Sequence, residues 1–139
     1  MKDFYLLDSN ILSALLRPGN RREGVVAWMD ASPAHYTTSV VVLYEIESGL
    51  LHRGYTKLMD SFQNLLTTLE VDVLDVTREI AHLAATHRAE GAKKGLTYHG
   101  EDLLIGATAL CYEHRLVTAN VKDFEAWIPD LINPIGLTL

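Results

Sequence analysis

Apolar positions recur along the chain in two rhythms, short continuous runs and residues three and four apart. Phe4-Tyr5-Leu6-Leu7 is an apolar run of strand length that stops at Asp8-Ser9-Asn10 before Ile11 and Leu12 resume, which reads as strand, turn and helix. After the turn Arg17-Pro18-Gly19-Asn20-Arg21-Arg22, the segment Glu23 to Ala31 places Val25, Val26, Trp28 and Met29 at helical spacing. His35 to Thr38 predicts a short strand, and Ser39 is suited to cap a helix over Val40 to Leu51. Tyr55 to Leu69 and Thr77 to Glu90 both carry apolar residues three and four apart, with Gly91 closing the second and Val71 to Leu74 forming a short strand between them. These two helices are expected to form a protruding α-hairpin beside the sheet. Glu101 to Glu113 is apolar nearly all round after its first turn, the pattern of a helix buried between layers. Arg115 to Thr118 predicts a strand, Asn120 a cap, Val121 to Trp127 a short helix, and Pro134 to Leu139 an edge strand. The alternation predicts an α/β fold: a central, mainly parallel sheet of about four to five short strands flanked by helices.

Composition narrows this further. With 139 residues and 48% hydrophobic content, the chain suits one domain spanning 1–139 rather than two. The longest uncharged run, Ala31 to Tyr44, is shorter than the roughly 18 apolar residues of a membrane span. Only four apolar residues stand between the N-terminal Met1-Lys2-Asp3 and Asp8, too few for a secretion signal, so no membrane association and a cytoplasmic location are expected. Cys111 is the single cysteine, and its apolar neighbours Ala109 and Leu110 suggest an inert thiol. The net charge of −6 weighs against a basic surface for nucleic acid, unless several acids are gathered in one pocket and neutralised there by cations.

Four carboxylates raise that prospect. Asp8 and Asp123 follow predicted strands, and Asp102 and Asp123 fall in the first turns of predicted helices. Parallel strands present their carboxyl ends to one edge of a sheet, so groups at those ends converge on a crevice. Glu45 stands among Val41, Val42, Leu43, Ile46 and Leu50, where burial without a partner is unfavourable. Clustered carboxylates raise one another's pKa and take up protons or cations. An all-oxygen ligand set suits Mg²⁺ or Mn²⁺. The residues leave plainer readings open. Asp8 or Ser9 can serve as a helix cap, Asp102 and Asp123 can complement helix dipoles, Asn120 with Asp123 resembles a capping box, and Glu45 can face solvent or pair with Arg53.

The same segments carry a resemblance. Leu7-Asp8-Ser9-Asn10-Ile11 resembles the opening Asp-Thr-Asn motif of PIN-domain ribonucleases, especially the VapC toxins of toxin–antitoxin pairs. Ser39 to Gly49 around Glu45, Asp102 to Ala109, and Leu116 to Phe124 match further motifs in the family's order. The resemblance implies a PIN-like domain with an acidic quartet at Asp8, Glu45, Asp102 and Asp123, supported by Asn10, Thr118 and Asn120. It implies an endoribonuclease dependent on one or two Mg²⁺ or Mn²⁺ ions, acting on tRNA, rRNA or other RNA. It also implies a VapB-type antitoxin that blocks the site and a homodimer. Two positions depart from the pattern: Ser9 stands where Thr is usual, and Gly106 where Ala is usual, at up to about 1 kcal/mol of helix propensity.

Arg17, Arg21, Arg22, Lys93, Lys94 and His99 are the candidates for RNA contact, with Lys93-Lys94-Gly95 as a basic loop preceding Asp102. The six histidines show no metal-ligand spacing, which speaks against a zinc enzyme. Trp28, Tyr55 and Leu58 belong to apolar stripes that suit a core, a dimer contact or an antitoxin groove. Among rival classes, a metal-dependent phosphatase of the haloacid-dehalogenase type expects a second Asp where Asn10 stands. A receiver-like switch domain expects adjacent acids after the first strand, and a non-catalytic PIN-fold binding module has no need of a complete quartet.

Overall fold

A computed structural model describes residues 3–136. Its sheet is built on the first strand, β1 (Asp3–Leu7), whose burial deepens until Tyr5, Leu6 and Leu7 lie in the core. On one side β1 pairs in parallel with β2 (Ala34–Ser39), and β2 pairs in parallel with β3 (Asp72–Leu74). On the other side β1 pairs in parallel with β4 (Arg115–Val117), giving the order β3-β2-β1-β4. The chain therefore grows outward from β1 in one direction and then returns to its other flank. Such a reversal opens a crevice at the carboxyl ends of the strands on either side of it.

Six helices flank the sheet among the described residues: α1 (Ser9–Leu15), α2 (Asn20–Ala31), α3 (Val40–Arg53), α4 (Thr56–Thr68), α5 (Arg78–Lys93) and α6 (Gly100–Tyr112). Ser39 caps α3 as expected, its hydroxyl accepting from the Val41 N–H at 3.1 Å. Buried Leu103, Ile105, Gly106, Ala107, Thr108 and Ala109 make α6 the helix enclosed between layers. No helix among the described residues is long and apolar enough to cross a membrane.

Several expectations are corrected. Helix α2 begins at Asn20, taking in Arg21 and Arg22, which their polar composition assigns to a turn. Gly91 lies inside α5 instead of closing it, and glycine there answers to packing: a Cβ would stand 2.7 Å from Tyr98 Cε2. The expected hairpin of α4 with α5 is replaced by packing of α4 on α3 and of α5 along α6, since β3 joins the sheet between them. The helix expected over Val121 to Trp127 is a single 3₁₀ turn, Val121–Asp123. The edge strand expected over Pro134 to Leu139 is a turn at Pro134 and Ile135, with residues 137–139 outside the described set. Next to it, Ile132 makes an isolated parallel bridge with Val117.

Candidate acidic site at the carboxyl edge of the sheet

The end of β1 settles how its first acid is used locally. Asp8 is itself the N-cap of α1, Oδ1 accepting from the Ser9 N–H at 2.8 Å, so neither Ser9 nor Asn10 takes the capping role. Its other oxygen turns toward β4. Oδ2 accepts from the Thr118 hydroxyl at 2.7 Å and from Asn10 Nδ2 at 3.3 Å. Asn10 also spans the gap, its Oδ1 accepting from the Ala119 N–H at 2.9 Å and its Nδ2 lying 3.2 Å from Thr118 Oγ1. The Asn120 N–H donates to Thr118 Oγ1 at 3.0 Å. Asn10, Thr118 and Asn120 thus form one hydrogen-bonded junction between the ends of β1 and β4, with Asp8 buried at its centre.

Asp123 is held from the same junction. Asn120 Nδ2 donates to Asp123 Oδ2 at 2.7 Å, so the Asn120 side chain binds the carboxylate and caps no backbone N–H. Asp102 enters from the first turn of α6, where His99 is the N-cap residue. Glu45 projects from α3, where its Oε1 is buried and has no hydrogen-bond partner. Arg53 lines the same cavity, yet gives Oε1 no hydrogen bond.

Electrostatics ties the four together. Burial raises the pKa of Glu45 to about 7, and the charges of Asp8 and Asp102 add to the effect against the lowering influence of the Ser9 side chain. Burial likewise raises Asp102 to about 6, helped by the charges of Asp8 and Asp123 and opposed by His99. Asp8 is also raised by burial, against the lowering effect of its hydrogen bonds to Thr118, Ser9 and Asn10. Buried acids such as Glu45 and Asp102, which resist ionisation because of burial and neighbouring carboxylates, take up protons or cations. Among the described residues, no three His, Cys, Asp or Glu side chains are drawn together closely enough to hold a metal ion as they stand. The donors on offer are carboxylate oxygens, and the orphaned Oε1 is an acceptor in want of a positive partner, which fits a hard divalent cation.

Around the acids, the basic candidates divide. A cavity of about 350 Å³ is lined by Ser9, Ser13, Arg17, Glu45 and Leu58 among others. A second, of about 580 Å³, shares Ser13 and Arg17 with it and extends past Asn10 to Arg21 and Arg22. Lys94 lines a separate small cavity with His87, Tyr98 and Trp127. Trp28 packs among core rings, 5.1 Å from Tyr5 and 6.2 Å from Tyr36 between centroids, whereas Tyr55 is exposed beneath the Arg17 guanidinium. Cys111 is only partly buried, and its thiol pKa is raised by burial.

A parallel α/β sheet with an acidic crevice beside its central strand defines a class of domain, and the comparison of sequences places the chain within it. The PIN domain family model matches residues 5–126, and the chain belongs to this family. That membership replaces the phosphatase and receiver-like alternatives. Comparison with curated proteins returns no match. Among solved structures, a chain of the toxin–antitoxin complex from Klebsiella pneumoniae is 26% identical with a TM-score of 0.70, over 94% of this chain and 97% of that one. A chain of FitAcB from Neisseria gonorrhoeae is 25% identical with a TM-score of 0.76, over 96% and 99%. VapC20 of Mycobacterium tuberculosis, a toxin that cleaves the sarcin-ricin loop, shares the fold at 18% identity and a TM-score of 0.66, over 80% and 85%.

Trp127 is the neighbour of the site that sequence reasoning misses. Its Nε1 donates to the Asp123 carbonyl oxygen at 3.0 Å, and its ring lies against Gly106 of α6. The replacement of Ala by Gly at position 106 is the one available signal.

Proposed function

We propose that the chain is a VapC-type toxin of a type II toxin–antitoxin pair and that it hydrolyses phosphodiester bonds of RNA. In this reading Asp8, Glu45, Asp102 and Asp123 hold one or two Mg²⁺ or Mn²⁺ ions. The observation that carries it is the buried, unpartnered Oε1 of Glu45, whose pKa, like that of Asp102, is raised by burial and by neighbouring carboxylates. When bound, the divalent ion supplies neutralising charge, polarisation of an attacking water and stabilisation of the leaving oxygen.

The chain's own residues supply position. Thr118 and Asn10 fix the Asp8 carboxylate, and Asn120 fixes that of Asp123. Arg17, Arg21 and Arg22 line the cavity that continues from the acids, where they are suited to grip phosphates of an RNA strand. His99 flanks Asp102, as its effect on that acid's pKa indicates, while Lys94 lines a separate small cavity and takes, with Lys93, a lesser part. The relatives that are toxin–antitoxin complexes support a VapB-type antitoxin as partner. An apolar cavity lined by Leu50, Leu51, Tyr55 and Met59 adjoins the acid cavity through Leu50 and offers that partner a footing. Exposed Val40 and Tyr44, with Leu104, are the proposed face for a second copy. The cytoplasm, where RNA is met, is the corresponding location.

The test is cleavage of purified tRNA and rRNA by antitoxin-free protein with Mn²⁺ or Mg²⁺, against EDTA and Asp8→Asn controls. Discrete cuts that vanish in both controls are expected. Folded, metal-loaded protein that cuts neither RNA would favour a non-catalytic PIN-fold binding module.

A further inference from the structure

Asp123 stands on the least self-supporting element of the site. A single 3₁₀ turn makes few and poorly aligned backbone hydrogen bonds, and the chain after it is irregular. Two side chains compensate. Asn120 holds the carboxylate, and Trp127 donates its indole N–H to the Asp123 carbonyl oxygen at 3.0 Å.

The indole is itself seated firmly. A Cβ added at Gly106 would stand 2.3 Å from Trp127 Cη2, so the ring occupies a notch on α6 that only glycine leaves open. The ring centroid of His87, on α5, lies 4.5 Å away, and those of Tyr98 and Phe124 lie 6.0 Å and 6.1 Å away. Gly106 is four residues after Asp102, and residues spaced by four share a helix face. Trp127 therefore rests on α6 one turn from Asp102 while gripping the main chain of Asp123. Trp127 also lies one residue past the segment matched by the family model.

We propose that Trp127 is a positioning residue that sets the spacing of Asp102 and Asp123, with Gly106 as its seat. This rests on the reading that the two acids share a divalent cation. The glycine at position 106 then has a function: it gives up helix propensity so that the indole can approach α6.

The experiment is Mn²⁺ titration of the full chain, followed by electron paramagnetic resonance of free Mn²⁺ and, in a Trp28→Phe background, by emission of the remaining tryptophan. Mn²⁺ should alter Trp127 emission, and Asp123→Asn should remove that response. Trp127→Phe, which keeps a ring but loses the N–H, should weaken Mn²⁺ affinity by about tenfold, the scale for residues that orient ligands. Gly106→Ala should weaken it similarly, and the double variant should be no weaker than the worse single one, because both act through the indole. If Trp127→Phe does not fold, Gly106→Ala decides. Parent-like Mn²⁺ affinity in the deciding variant, with affinity lost in Asp123→Asn, overturns the proposal and leaves the metal reading standing. Parent-like affinity in Asp123→Asn overturns both.

Discussion

The Thr118 hydroxyl donates to Asp8 Oδ2 across 2.7 Å and accepts from the Asn120 N–H at 3.0 Å, so one oxygen links the acid after β1 to the loop after β4. Removing it strips a donor from a buried carboxylate. Thr118→Val should weaken Mn²⁺ affinity by about 10- to 100-fold and lower stability by about 1–3 kcal/mol. Thr118→Ser should restore most of both. Calorimetric metal titration with parallel thermal denaturation checks this, and a Val variant indistinguishable from the parent would refute it.

Glu45 should behave as a liability in the metal-free protein. Its folded pKa, about 7, is raised above the unfolded value, so the folded state binds more protons between these two values. For a raised acid, stability is greatest below the unfolded pKa and declines as pH rises toward the folded one. Glu45→Gln should therefore match the parent in EDTA at pH 5 and exceed it in melting temperature at pH 8, while abolishing cleavage. A Gln variant less stable than the parent at pH 8 would count against an unsatisfied Oε1 as the source of the effect.

The raised pKa values of Glu45 and Asp102 also predict that metal uptake expels protons. Near pH 6 Mn²⁺ binding should release about one proton or more per chain, and above pH 8 almost none. Titration calorimetry in buffers of different ionisation enthalpy measures this directly. A release that does not change with pH would exclude these two acids as its source.

RNA binding should depend on the arginines more than on the lysines. Neutralising Arg21 and Arg22 together should flatten the dependence of log affinity on log salt by about 0.7 for each RNA phosphate that the protein ceases to neutralise. Neutralising Lys93 and Lys94, which line neither the Glu45 cavity nor the adjoining cavity of Arg21 and Arg22, should change the slope less. The reverse order, read from filter binding across a salt series, would move the RNA path to the other side of the site.

Much of this architecture is legible in the residues because burial has a period. The run Phe4 to Leu7 and the all-round apolar α6 leave few alternatives to a strand and an enclosed helix. Glu45 stands out for the same reason, as a charge among apolar positions, whereas Asp8, Asp102 and Asp123 draw notice by their places at strand ends and helix starts. Local pattern fails where a distant contact decides. Gly91 reads as a helix end and Gly106 as a helix-weakening residue until Tyr98 and Trp127 are seen in the space they leave. The first turn of α2 carries no apolar residue to mark it as helical. Asp8 reads in sequence as either cap or ligand, but its two oxygens face different partners, so capping leaves Oδ2 directed at the junction.

The strand order also fixes a timetable for the newborn chain. Asp8 leaves the ribosome before its partner Thr118, which is 110 residues further along. At about 5–20 residues per second, roughly 5–20 s separate the two. Until then β1 lacks its β4 neighbour, and neither Asp8 nor the crevice is complete. Whatever chemistry the site performs is withheld until β4 and the loop after it have been made. A partner made alongside has that interval in which to be waiting.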